Sequence, residues 1–153
     1  MKINYHKSEV FVLGVDRDEQ ERIANMFNCK LGELPMHYLG LPIGERRLTL
    51  EQFRFLVSKL TNRTDPWQGK HMSSAARLTL SNACLDNIPM FVMGFYLLGE
   101  GIHVEMDQVR GRFFGEGDDQ GFKYHMMKWE SVCRPKDFGG LGIINSRYMN
   151  IYL

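Results

Sequence analysis

Four apolar residues, Leu50, Phe53, Val57 and Leu60, recur at helical spacing directly behind a Thr49-x-x-Gln52 pair. In such a pair the threonine satisfies a backbone N–H of the first turn and the glutamine reaches back to the threonine's own N–H. The spacing therefore predicts a helix from Leu50 to Asn62, with one face that must be buried against other elements. A chain built on such a helix needs at least one further layer to cover it.

Candidates for that layer lie on both sides. Towards the C-terminus, Ser74 is placed to cap a second helix with the stripe Ala76, Leu80, Ala83, Cys84 and Ile88, and Pro89 predicts a kink or break in it. Ile102, Met106, Val109 and Phe113 form a further stripe, which the polar, glycine-rich run from Gly115 to Gly121 should end. Towards the N-terminus, Ile3 to Gly14 reads as strand-like around the apolar run Val10-Phe11-Val12-Leu13. Asp16 and Glu19 then resemble a capping box for a helix that ends near Gly32, with Ile23, Met26 and Phe27 on its inner face. Tyr38 to Gly44 carries glycine and proline at a spacing that suits a strand at a tight bend. The fold class that follows is α+β and mainly helical, with short N-terminal strands ahead of a helical bundle.

Composition agrees with a folded domain. At 153 residues and 44% apolar content, the chain can bury one sizeable core. The net charge of +1 is unevenly spread: residues 1–58 are neutral, 59–99 carry +2, 100–121 carry −4 and 122–153 carry +3. This is a mild basic bias without the dense patch of an autonomous nucleic-acid binder, so any grip on phosphate must be local. Three widely spaced cysteines, Cys29, Cys84 and Cys133, signal neither a disulfide framework nor a zinc site. The apolar run Ile88 to Leu98 is broken by Pro89 and Gly94 and is shorter than the roughly 20 residues a membrane helix needs. A polar N-terminus predicts no secretory signal, and no membrane partner is expected.

Four segments carry a more specific signal: Ile3-Asn4-Tyr5-His6-Lys7-Ser8-Glu9, Tyr38-Leu39-Gly40-Leu41-Pro42-Ile43-Gly44, Arg77-Leu78-Thr79-Leu80 and Val132-Cys133-Arg134-Pro135-Lys136-Asp137-Phe138-Gly139-Gly140-Leu141-Gly142. In that order they resemble the reverse transcriptases of plant non-LTR, LINE-type retrotransposons, over nearly the whole chain. The resemblance starts just after the point where that family carries its paired catalytic aspartates and stops before its zinc-binding tail. It implies that residues 1–47 are the end of a palm with a primer-grip strand, and that 48–153 are a helical thumb and connection region truncated at the C-terminus. The chain departs from the family pattern at Gly115, where a tryptophan is common, and at Gly99-Glu100, which replace a proline and a lysine.

Reverse transcription needs carboxylates that hold two magnesium ions about 3.5–4 Å apart. In the family these come from an early aspartate and an aromatic-x-Asp-Asp hairpin, both of which would lie upstream of Met1. Asp118-Asp119 sits in a polar glycine-rich run and reads as a solvated turn. No catalytic residue, metal ligand or cofactor is therefore expected in this chain, although Mg2+ is expected for the intact family enzyme. The chain alone should be inactive as an RNA-directed DNA polymerase.

The resemblance instead points to contacts with a template–primer. Lys7 is either a phosphate contact near the incoming triphosphate or a solvated lysine. Tyr38 and Gly40 fall in the primer-grip segment, and the alternative is a plain strand with a bend. Lys59, Arg63, Lys70, His71 and Arg77, interleaved with Trp67, suit a thumb helix laid along a nucleic-acid backbone, or else an ordinary solvated surface. The ten methionines read as flexible core filling, and Gly139-Gly140-x-Gly142 lacks the Lys-Ser/Thr of a phosphate loop and reads as a turn.

The leading expectation is a fragment of a retrotransposon-derived polymerase that positions RNA or DNA template–primer, with the missing palm and fingers region as a further candidate partner. The alternatives are a domesticated RNA- or DNA-binding module and a remnant with no selected role. Nucleus and cytoplasm are both open as locations.

Overall fold

The computed structural model describes residues 4–44, 48–67, 72–115 and 128–153, apart from the His6 side chain. The chain divides into two compact units, Met1–Leu48 and Thr49–Leu153. Short strands and predominant helices make the fold a mainly helical α+β one.

In the first unit, β1 (Glu9–Val10) and β2 (Lys30–Leu31) pair in parallel, with Glu9 opposite Lys30 and Val10 opposite Leu31. Parallel strands need a crossover, and α1 (Arg17–Phe27) provides it. Asp16 caps α1 by accepting from the Glu19 N–H at 3.0 Å, as the sequence predicts, but the Glu19 carboxylate turns to Arg22 at 2.9 Å. Asn28 adopts the left-handed conformation at φ 52° and stops α1 well short of Gly32. The inner face also differs from expectation. Ala24 is buried, while Met26 is 82% exposed and Phe27 is exposed. Ahead of β1, where the sequence suggested a strand, Tyr5–Lys7 forms a 3₁₀ turn, closed by Lys7 N–H to the Asn4 carbonyl at 3.0 Å.

Further along this unit, β3 (Met36–Tyr38) and β4 (Leu41–Ile43) form an antiparallel hairpin with Tyr38 opposite Leu41. Its two-residue turn has positive φ at both positions, 52° at Leu39 and 84° at Gly40, which is the type I′ geometry whose twist matches that of paired strands.

The second unit is built around α2 (Leu50–Thr64) packed on α5 (Glu100–Gly115). The Thr49 N–H donates to Gln52 Oε1 at 2.6 Å and closes the capping box. Phe53, Leu56, Leu60, Ile102, Met106 and Phe113 are buried at this contact or beside it. The α2 stripe is thus rotated slightly from the predicted one, with Leu56 inside and Val57 only half-buried. A satellite core joins Phe114, Val132 and Ile143, with Trp129 and Leu141 packed against it, and so ties α6 (Trp129–Val132) to the body of the unit.

The segment between these helices corrects the predicted stripe. Ser73, not Ser74, caps α3 (Ser74–Leu80), accepting from the Ala76 N–H at 3.3 Å. A π-helical turn follows at Ser81–Leu85, in which Asp86 N–H reaches back five residues to the Ser81 carbonyl at 3.0 Å. This places Pro89 in the first turn of α4 (Asn87–Met93), where its missing N–H costs least. The inserted residue shifts the helical phase. Arg77, Ser81, Leu85, Pro89 and Val92 are buried, whereas Ala83 is exposed and Ala76, Leu80, Cys84 and Ile88 are only half-buried. Finally α7 (Ser146–Tyr152) is capped by the Asn145 side chain and held by Asn150, whose amide donates to the Tyr96 carbonyl at 2.8 Å and accepts from Leu98 N–H at 2.7 Å.

Candidate nucleic-acid interface

On α2, residues four apart stand one above the other, so Lys59 and Arg63 share a face one turn apart. Both are exposed. Each cation lies over an aromatic ring, Lys59 Nζ 5.1 Å from the centroid of Phe55 and Arg63 Cζ 5.1 Å from that of Trp67. Such contacts restrain long cationic stems while leaving the charge outward, which lowers the entropy lost when an anion binds. Neither residue forms an ion pair with a carboxylate among the described residues.

Beside them runs a shallow cavity of about 570 Å³, lined by Lys59, Asn62 and Arg63 on one side and Ala83, Cys84 and Ile88 on the other. No carboxylate lines it. The π-helical turn forms part of its far wall, so the phase shift that buries Ser81 and Leu85 is also what leaves Ala83 and Cys84 facing outward.

Arg77, which the sequence groups with these cations, has another place. It is 4% exposed, its guanidinium donates to the Phe113 carbonyl at 2.7 Å, and it lies 5.5 Å from the Phe113 ring centroid. Trp67 also meets Phe113, with the ring centroids 5.5 Å apart and the planes tilted by 45°. Arg63, Trp67, Phe113 and Arg77 thus form a continuous ladder whose outer rung is exposed and whose inner rung is buried. Only the outer one is presented to a ligand.

The remaining sequence candidates are distributed as follows. Lys7 is exposed at the end of its 3₁₀ turn. Tyr38 is exposed on β3, and a Cβ added at Gly40 would meet nothing within 4 Å, so both stand at the open tip of the hairpin. Lys70, His71, Asp118 and Asp119 lie outside the described residues. Among the described residues no group of three His, Cys, Asp or Glu side chains is arranged to hold a metal, and no step through a metal is assigned to this chain. Among them, too, no helix is long and apolar enough to cross a membrane.

Two features escaped the sequence reading. Asn62 joins the cavity because it lies between Lys59 and Arg63 on the same side of α2. A charged network that runs from the buried pair Asp86 and Arg110 through Asp107 and half-buried Arg147 to exposed Glu100 joins α5 to α7. A charged residue amid apolar stripes was the available signal for Asp86 and Arg110, but their pairing spans 24 residues.

Over 110 residues the chain is 33% identical to a protein of Arabidopsis thaliana that bears the provisional name ribonuclease H protein. The match covers 72% of this chain and 18% of that protein, so the chain spans less than a fifth of the relative it matches. No protein-family model matches the chain, and no solved structure matches it significantly.

Proposed function

We propose that this chain is a segment of a retroelement-derived reverse transcriptase that holds template–primer in position and does not itself catalyse polymerisation. The similarity to a plant protein named for ribonuclease H is compatible with a retroelement origin. The observation that carries the binding role is the Lys59 and Arg63 pair, two exposed cations one helical turn apart beside a cavity without carboxylates. One turn of helix rises about 5.4 Å, so the two cations stand side by side on long stems and suit contact with a phosphate backbone without base readout. In this reading Tyr38 and Gly40 meet the primer strand, the tyrosine through its face and the glycine by letting backbone approach closely, and Lys7 meets phosphate. Lys70 belongs to the same proposed set, and Arg77 supports it from within.

Salt dependence tests the proposal. Affinity for an RNA–DNA hybrid should fall with rising salt, and Lys59→Gln with Arg63→Gln should lower the log–log slope by about 0.9 for each phosphate left without its cation. Undetectable binding at moderate salt, or a slope unchanged by both substitutions, would sink it. A domesticated module would use the same contacts. The reading frame upstream of Met1 separates the two, since an in-frame aromatic-x-Asp-Asp motif belongs only to the polymerase.

A further inference from the structure

The segment from Val132 to Asn145 is held in shape by its own backbone. Leu141 N–H donates to the Val132 carbonyl at 3.0 Å, Gly142 N–H to that of Arg134 at 3.0 Å and Gly140 N–H to that of Pro135 at 3.1 Å. A Cβ at Gly140 would lie 2.0 Å from the Arg134 carbonyl oxygen, so only glycine allows the two strands of the loop to close. Buried Ile143 anchors one end and Val132 the other. The result is a rigid loop with Arg134 and Lys136 exposed on it.

Beside this loop α7 presents Tyr148 and Tyr152 one turn apart, 64% and 85% exposed. Between loop and helix lies a cleft of about 950 Å³ whose lining includes Arg134, Gly142, Asn145, Arg147, Tyr148 and Tyr152. Lys136 packs along its rim at Gly142. Glu130 is the one carboxylate in the lining, and Arg147 is already engaged by Glu100 and Asp107. Arg134 has no ion pair with a carboxylate among the described residues, and with exposed Lys136 at the rim it sets two positive charges against the single negative charge of Glu130.

We infer that this cleft binds a single strand of RNA or DNA, with Arg134 and Lys136 against phosphates and Tyr148 and Tyr152 stacked on successive bases. It rests on the nucleic-acid reading above but uses a separate set of residues. Cations interleaved with exposed aromatic faces are the chemistry of sequence-tolerant single-strand binding. A cleft of about 950 Å³ has room for a few unpaired nucleotides, whose free base faces can reach the tyrosines as paired bases in a duplex stack cannot.

The test compares a labelled oligothymidine with a labelled hybrid duplex by fluorescence anisotropy, on the whole chain. Tyr148→Ala and Tyr152→Ala should each weaken single-strand binding about 5- to 150-fold, the effect of losing one stacked base, and leave duplex affinity unchanged. Tyr→Phe at either site should restore it. Arg134→Gln should weaken single-strand binding and reduce its salt slope. Because these side chains are exposed, circular dichroism melts should match the parent chain. Unchanged single-strand affinity in the tyrosine variants, while Lys59→Gln still weakens the duplex, would overturn this inference alone. Failure of the duplex arm with the single-strand arm intact would instead remove the α2 reading.

Discussion

The guanidinium of Arg110 stands 2.5 Å from the carboxylate of Asp86, and the two residues are 2% and 4% exposed. Each also grips the same residue of the segment before α7. Arg110 donates to the Ile144 carbonyl at 2.6 Å, and Asp86 accepts from the Ile144 N–H at 3.2 Å. Taking two charges out of water is costly, and the cost is offset in part by the bonds to the half-buried Ile144 backbone and by a second carboxylate, Asp107, 3.3 Å from Arg110, while the buried Arg110 Nε stays without a partner. The ion pair thereby fastens α5, the turn after the π-helical segment and the approach to α7 into one piece.

Removing one member should leave the other charge buried and unmatched. Asp86→Ala and Arg110→Ala should each destabilise the chain by about 3–5 kcal/mol, measured by urea unfolding. Asp86→Leu with Arg110→Met should cost less than the sum of the single changes. A single substitution costing under about 1 kcal/mol would show that the pair does not fasten these elements.

Acid should loosen the contact between α5 and α7. His103 is buried with its Nδ1 2.9 Å from the Ser146 hydroxyl, and burial, with the nearby Arg147 charge, holds its pKa below the usual 6.5. A group whose folded pKa is depressed takes up its proton more readily when unfolded, so its contribution is full above about pH 6.5 and is lost as pH falls through the folded value. The melting temperature should therefore drop as pH falls from about 7.5 to about 5, since the unfolded histidine takes up its proton below about pH 6.5. In His103→Gln this part of the pH dependence should disappear. The Glu100 carboxyl, held below its ordinary value by its hydrogen bond from Arg147, adds a separate loss only below about pH 4.5.

Arg63 and Arg77 should separate cleanly by readout. Arg63→Gln should change stability by no more than about 0.5 kcal/mol while lowering duplex affinity, as expected of an exposed side chain. Arg77→Met should cost about 1–3 kcal/mol because the Phe113 carbonyl loses a buried donor. It should leave the salt slope of binding unchanged in whatever fraction stays folded. An equal effect of the two substitutions on the salt slope would contradict the placement of Arg77 inside the unit.

The hairpin turn gives a test in the first unit. Gly40 has φ 84°, a region in which a branched side chain is strained by about 1–2 kcal/mol. Gly40→Val should speed amide exchange at Tyr38 and Leu41, the residues paired across the turn. Leu39→Asn should slow it, since asparagine tolerates the left-handed φ of 52° that leucine now holds.

What could be read along the chain was whatever neighbouring residues settle among themselves. Thr49 and Gln52 close their cap because the interaction needs only one turn of backbone, and Asp16 caps α1 for the same reason. Of the predicted stripe on α5, Ile102, Met106 and Phe113 are buried because nothing interrupts the helix, whereas Val109 is half-buried and the neighbouring Arg110, paired with Asp86, takes the inner place. Lys59 and Arg63 come to share a face because α2 runs on to Thr64, two residues past the Asn62 at which the spacing ends.

Tertiary packing decided the rest. The π-helical turn before Pro89 adds a residue to the helical phase, so Ser81 and Leu85 go inward where the unbroken pattern pointed to Ala83 and Cys84. Arg77 looked like a surface cation because charge favours water, yet the Phe113 carbonyl, 36 residues away, gives its guanidinium a buried acceptor. The cleft at Tyr148 and Tyr152 needs the loop from Val132 to close upon Gly140, which brings Arg134 alongside a helix that starts only at Ser146. Local bonds and periodicity are fixed by sequence neighbours, whereas burial of a charge and closure of a cleft depend on partners that only the folded chain brings within reach.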